Sequence, residues 1–225
     1  MAEENLSRIY LKIPLERAGA LIGSRGGTKQ ELEKGTGTTI AVDGKTGEVV
    51  IEASSSGSDP AGILRVRDLV NAIARGFSPE KAFRLFTDGQ MLEVLDLKEV
   101  VGDSRNALTR VKGRIIGENG KTRGLLETLT GAYVSVYGHT VALIGDYDEV
   151  RVAKEAIEML LKGCQHGSVY RFLNKEHLEL KKRKLALWEE MPALKEEKAP
   201  KAKVTVKAKA KAAKAKGKAT KAKED

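Results

Sequence analysis

The sequence predicts a mixed α/β chain of the α+β kind: two tandem copies of one small domain, an extra C-terminal helix and a disordered Lys/Ala tail. Each copy is ordered strand, helix, helix, strand, strand, helix. Three observations predict this. At a shift of 94 residues, Gly19-Ala20-Leu21-Ile22-Gly23-Ser24-Arg25-Gly26 falls on Gly113-Arg114-Ile115-Ile116-Gly117-Glu118-Asn119-Gly120. The match runs on through Thr28 and Thr122, Leu32-Glu33 and Leu126-Glu127, and Thr36-Gly37 and Thr130-Gly131, the mark of an internal duplication. In both copies the apolar period switches between strand and helix spacing in the same order, and most of the net positive charge lies beyond the second copy.

In the first copy, residues 7–13 alternate Ile9, Leu11 and Ile13 with polar neighbours, a strand with one buried face. Pro14 opens a short helix that runs into Ile22, since a first turn has no use for the missing N–H. A second short helix, 28–34, is expected to end at Gly35 and Gly37. Residues 38–42 and 48–53 flank Asp43-Gly44-Lys45-Thr46-Gly47 and read as a hairpin. Ile63, Val66, Val70 and Ile73 share one face of a closing helix. The second copy supplies a strand at 91–97, a helix at 106–116, and a hairpin from 132–136 and 140–144. Val150, Ala153, Ile157 and Leu160 mark its closing helix. Residues 98–105 form an insertion that the first copy lacks.

Past each closing helix, Phe83-Arg84-Leu85-Phe86 and Tyr170-Arg171-Phe172-Leu173 correspond at a shift of 87, and these aromatics are expected to pack between the modules. The domain boundaries read as 6–88 and 89–173. A basic helix at 174–191 carries Lys181, Lys182, Arg183 and Lys184, and a disordered tail spans 195–225. That tail has twelve lysines against four acids, whereas residues 1–194 hold 28 basic and 27 acidic side chains. The formal charge of +9 therefore says little about the two modules, where a binding surface must come from local clustering.

Composition excludes several classes. A chain of 225 residues buries enough core to need no disulfide or metal staple, and the single Cys164 cannot form an internal disulfide. His139, His166 and His177 lack metal-ligand spacing, so neither metal nor cofactor is expected. No nucleophile elbow or paired-carboxylate pattern points to an enzyme. No apolar run is long enough to span a membrane, and the opening Met-Ala-Glu-Glu-Asn has neither the basic start nor the apolar core of a signal peptide; a cytoplasmic location is expected.

Each Gly-x-x-Gly joins two short helices, a turn in which the backbone can approach a ligand because glycine has no Cβ and accepts positive φ. The helix that follows presents free N–H groups and its positive dipole end, which suits a phosphate. A nucleotide-binding P-loop is the rival for Gly120-Lys121-Thr122, but Ile115 stands where its first glycine belongs and a helix precedes it instead of a strand. The candidate contacts in the first copy are Gly23, Ser24, Arg25, Gly26 and Lys29. In the second they are Gly117, Asn119, Gly120, Lys121 and Arg123, with Arg110, Lys112 and Arg114 upstream. Ile22 and Ile40, and Ile116, Val134 and Val136, are the candidate apolar groove. The first loop carries Arg25 inside it. The second carries Glu118, which repels phosphate, within a ring of cations, so residue chemistry alone leaves the two unranked.

The element order, the Ile-Ile-Gly-x-x-Gly lead-in and the Thr-Gly before the next strand resemble the type I KH domain, whose loop holds about four nucleotides of single-stranded nucleic acid. Residues 6–188 are similar to the archaeal Dim/Pno/Krr-type KH proteins of ribosome biogenesis. That likeness is carried by Gly131-Ala132-Tyr133-Val134-Ser135-Val136-Tyr137-Gly138, Ile157-Glu158-Met159-Leu160 and His166-Gly167-Ser168-Val169-Tyr170-Arg171-Phe172-Leu173. The resemblance implies a factor that binds the 3′ end of small-subunit ribosomal RNA, partnered by a PIN-domain endonuclease and by the alpha subunit of archaeal translation initiation factor two. It also implies that the second module is the better-kept RNA binder and the first is often degenerate and used for protein contact, whereas the first loop here is intact and basic; the second is expected to be the principal site and the first auxiliary. The alternative is a KH scaffold for protein partners with only non-specific RNA affinity.

Overall fold

The structure, a computed structural model, describes residues 8–53 and 60–190, with side chains not described at 60–61 and 187–190. The disordered-tail expectation at 195–225 lies outside the described residues. The first copy runs β1 (Arg8–Lys12), α1 (Leu15–Ile22), α2 (Gly27–Thr36), β2 (Thr38–Val42), β3 (Glu48–Ala53) and α3 (Pro60–Ala74). The short α4 (Pro79–Ala82) and a 3-10 turn over Phe83–Phe86 lead to the second copy. There β4 (Gln90–Asp96), α5 (Leu97–Val101), α6 (Arg105–Ile116), α7 (Lys121–Thr130), β5 (Tyr133–Tyr137), β6 (Thr140–Asp146) and α8 (Tyr147–Leu161) repeat the order, and α9 (His166–Glu190) follows. The insertion thus contributes α5. Gly35, expected to help end α2, lies inside it; Gly37 ends the helix with φ +64°.

Both sheets are antiparallel, ordered β1-β3-β2 and β4-β6-β5, so the strand last in sequence sits centrally in each. The identities shared by the copies explain why they fold alike. Glu33 and Glu127 each reach from the second short helix to the edge strand and accept from the backbone N–H of Ile40 and Val134, at 2.9 and 3.0 Å. Thr36 and Thr130 each donate back to the carbonyl four residues earlier, at 2.8 Å, closing the helix before its glycine.

The sheets differ in what covers them. The outer face of the first sheet is open, with Arg8, Tyr10 and Lys12 facing solvent and Tyr10 70% exposed. The outer face of the second is covered by the first module: Ala142 and Ile144 are fully buried in the same cluster as Val66, Leu69 and Phe77. Around them, Ser135 donates to the carbonyl of Arg75 at 2.9 Å and the Tyr137 phenol donates to Glu16 at 3.1 Å. Arg84 donates to the carbonyl of Gly131 and to the Glu149 carboxylate, both at 2.7 Å. The guanidinium also lies 5.0 Å from the centre of the Tyr133 ring.

The aromatic pairs consequently have different fates. Phe83 and Phe86 stack with centroids 5.7 Å apart beside this shared core, as expected. Tyr170 and Leu173 do not pack between modules. They lie on α9, whose Val169, Leu173 and Leu180 fill the second module's own core. No helix breaker separates them from the basic segment, so the helix expected at 174–191 begins at His166 instead.

Candidate nucleic-acid interface

The two loops have the same backbone. In the first, Gly23, Arg25 and Gly26 have φ of 73°, 54° and 78°; in the second, Gly117, Asn119 and Gly120 have 74°, 52° and 76°. The first glycine of each pair is required twice over: its φ is positive, and an added Cβ would come within 2.8 Å of the backbone nitrogen of Thr28 or Thr122. The second needs glycine for its φ, since a Cβ at Gly120 would meet open space and one at Gly26 only ordinary contact. Arg25 and Asn119 are the only described non-glycine residues with positive φ. Asparagine tolerates that region better than arginine, so the second loop bears less strain.

The proposed contacts divide by environment. Ser24, Arg25, Glu118, Asn119, Lys121, Arg123 and Arg110 are exposed around their loops. Lys29 is within 3.7 Å of Glu33, which itself braces the edge strand. Lys112 spans from α6 to the β5–β6 turn and donates to the carbonyl of Gly138 at 3.0 Å. Arg114 donates to the carbonyl of Cys164 and faces α9. Of the groove candidates, Ile22, Ile116 and Val136 keep some exposure, whereas Ile40 and Val134 are buried at 0% and 3% and belong to the core. The register places Val136 one pleat beyond Val134, on the same face of β5 and nearer the turn that Lys112 reaches. Lys181 and Lys182 are exposed on α9, as is Lys184, and Arg183 pairs with Asp148 at 3.3 Å.

Sequence reasoning missed two features here. Thr122 is buried beneath the loop and shares a hydrogen bond of 3.0 Å with the Tyr170 hydroxyl. His166 Nε2 lies 3.1 Å from the carbonyl of Arg114. The start of α9 therefore forms a wall beside the loop, enclosing a depression of about 420 Å3. The identity of Thr28 and Thr122 in the repeat was a signal for the first. Nothing local announced the second, because His166 is remote in sequence from Arg114.

Two copies of this fold, each with a Gly-x-x-Gly at positive φ between short helices and cations around it, define a tandem KH protein. The profile of the second Pno1 KH domain, described as a eukaryotic-type KH domain (type I), matches residues 91–178, and that of the KH domain matches residues 8–72. A KH domain-containing protein of Methanocaldococcus jannaschii is 45% identical over 178 residues, 79% of this chain and 78% of that one. The chain belongs to the archaeal Dim2/Pno1 family. The pre-rRNA-processing protein pno1 of Schizosaccharomyces pombe is 27% identical over 145 residues, 64% of this chain and 60% of that protein. The crystal structure of the a/eIF2alpha-aDim2p-rRNA complex from Pyrococcus horikoshii contains a similar chain: TM-score 0.74, 47% identity, covering 79% of this chain and 97% of that one. Among the described residues, no helix is long and apolar enough to cross a membrane.

Proposed function

We propose that this protein is a cytoplasmic, non-catalytic RNA-binding factor of small ribosomal subunit biogenesis, clamping single-stranded RNA at the 3′ end of small-subunit rRNA. The observation that carries the reading is the second loop: its left-handed position is filled by Asn119, Lys121, Arg123 and Arg110 flank it, and Ile116 before it and Val136 on β5 keep some exposure. The loop's backbone N–H groups and the start of α7 take the phosphates, while the two apolar side chains take the bases. Glu118 leaves the phosphates to its cationic neighbours and to the loop backbone, since a carboxylate and a phosphate repel. The relative from S. pombe is named for pre-rRNA processing, and the P. horikoshii complex contains rRNA, which supports the same assignment here. The modules are taken as 6–88 and 89–173, with Gly23, Ser24, Arg25, Gly26 and Lys29 as an auxiliary site and Lys181, Lys182, Arg183 and Lys184 as sequence-independent phosphate contacts. Crosslinking the protein to RNA in cells and mapping the sites tests this: reads should concentrate at the small-subunit 3′ end, and an even spread over cellular RNA would overturn the assignment.

One observation favours a protein partner as well. The first sheet keeps an open face with Tyr10, Ala41 and Val50 in one cross-strand row, while the second sheet's face is consumed by the first module. The alpha subunit of archaeal translation initiation factor two, named in the P. horikoshii complex, is the partner proposed first, and a PIN-domain endonuclease the other. Capture of either should survive digestion of RNA; loss on digestion would make RNA the bridge and the scaffold reading wrong.

A further inference from the structure

We propose that the depression behind the second Gly-x-x-Gly loop is a distinct nucleotide subsite, which holds the phosphate and base of one RNA residue beyond those held in the clamp. The inference rests on the clamp reading above and extends the RNA path past it. The walls are Arg110 and Arg114 from α6, Glu118 and Lys121 from the loop and α7, and His166 and Tyr170 from α9.

The depression is not the KH groove seen from another side. On a helix of 3.6 residues per turn, Arg110 and Arg114 lie about 160–200° around α6 from Lys112, which faces the β5–β6 turn. The two surfaces flank α6, and the loop joins them, because Gly117 and Lys121, contacts of the proposed clamp, also line the depression. An RNA strand leaving the loop on this flank meets three cations within one concave surface. Arg114 is anchored by its Nη2, which donates to the carbonyl of Cys164, and its buried Nε has no hydrogen-bond partner among the described residues. Phosphate between two guanidinium groups and an ammonium is a strong, charge-assisted arrangement.

The internal repeat supplies an independent argument. The framework of the depression is common to both copies, Gly113 matching Gly19, Gly117 matching Gly23 and Thr122 matching Thr28. The chemically active wall residues are not shared. Where the second copy has Arg110, Arg114, Lys121, His166 and Tyr170, the first has Glu16, Ala20, Gly27, Pro79 and Phe83. In the first copy that flank is occupied by the contact between modules: Glu16 accepts from Tyr137, and Phe83 stacks on Phe86. The duplication left one flank for packing and gave the other three cations and two polar rings. Core packing does not call for that change, since Arg110 and Lys121 are exposed.

The base falls to the other two walls. The His166 and Tyr170 rings lie 6.1 Å apart at 57°, and Tyr170 is fixed by its bond to Thr122. Stacking against such rings is tolerant of base identity. Glu118 at the rim accepts from an exocyclic amine, so bases that carry one are favoured over uracil.

Fluorescence anisotropy with labelled oligoribonucleotides tests the proposal. The probes are four nucleotides of the small-subunit 3′ end, and the same four extended by three nucleotides on either side. Wild type should gain about tenfold in affinity from one of the two extensions, within the range expected of one stacked base. His166→Ala with Tyr170→Ala, which removes both rings of the depression, should abolish that gain and leave tetranucleotide binding within about twofold of wild type. Should that pair fail to fold, His166→Ala alone and Arg114→Ala must each reduce the gain more than they reduce tetranucleotide binding, and Arg8→Ala, on the open face of the first sheet, must change neither. No gain from either extension in wild type, or a gain that survives these substitutions, overturns the subsite. The clamp is read separately: if Glu118→Asp with Asn119→Asp leaves tetranucleotide binding unchanged, the clamp reading fails instead.

Discussion

Replacing Arg84 with alanine removes the ion pair that joins the end of the first module to the second. Glu149 is 4% exposed and its carboxylate also accepts from the backbone of Asp146 at 3.2 Å, so it closes the α8 capping box as well as the module interface. Without Arg84 that carboxylate is left in the interior, the carbonyl of Gly131 is deprived of a donor at 2.7 Å, and the Tyr133 ring of a cation. Breaking a buried pair costs about 3–5 kcal/mol, and the low end applies because the Arg84 side chain keeps 25% exposure. A loss of about 3 kcal/mol shifts the melting temperature of a body this size by about 6–12 °C. Calorimetry on wild type, Arg84→Ala, Glu149→Gln and the double variant measures it. The double variant should be more stable than the sum of the singles predicts, by about 1 kcal/mol or more. Additive effects, or a loss under about 1 kcal/mol for Arg84→Ala, would refute the claim that this pair holds the modules together.

Gly117→Ala should destabilise more than Gly120→Ala. The first combines positive φ with a clash against Thr122 and costs about 3 kcal/mol, whereas the second bears only the left-handed backbone and costs about 1 kcal/mol; denaturant titration of both ranks them. Burial, then the hydrogen bond to the Glu16 carboxylate, pushes the Tyr137 phenol above its ordinary value of 10.0. A folded value above the unfolded one means this contribution is complete below pH 10 and is lost as pH rises through the shifted value. Titration followed by tyrosinate absorbance should lose its highest transition in Tyr137→Phe. Truncation at Lys195 should reduce the salt slope of RNA binding by about 0.7 for each phosphate that the tail neutralises, with little change in sequence preference, measured by anisotropy at several salt concentrations.

The repeat, the element order and both loops were legible because they depend on local features: apolar period, glycines at positive φ and paired identities. The cover over the second sheet was not read, although its signal is present. The counterpart strand of the first copy, Glu48-Val49-Val50-Ile51-Glu52, holds three apolar residues between carboxylates, whereas Val141-Ala142-Leu143-Ile144 is a longer apolar run, as in a strand buried on both faces. Arg84 and Glu149 meet across 65 positions of sequence, and no local pattern indicates such a pair. For the site, glycine chemistry identified the loops, but not which isoleucines and valines stay accessible. Ile40 and Val134 sit on the inward side of strands whose register only the sheet sets. The α9 wall was hidden for the same reason: a helix read as beginning at 174 cannot bring His166 and Tyr170 to the second loop.

The central claim is that the second loop is the principal RNA clamp and the first an auxiliary. Equilibrium binding of single-stranded RNA from the small-subunit 3′ end should be compared for wild type, Ser24→Asp with Arg25→Asp, and Glu118→Asp with Asn119→Asp. The second-loop variant should bind at least about tenfold more weakly, an effect of the size of one or two charge-assisted phosphate hydrogen bonds, and the first-loop variant should be weakened less. Wild-type affinity in the second-loop variant, or a larger effect in the first, would contradict it.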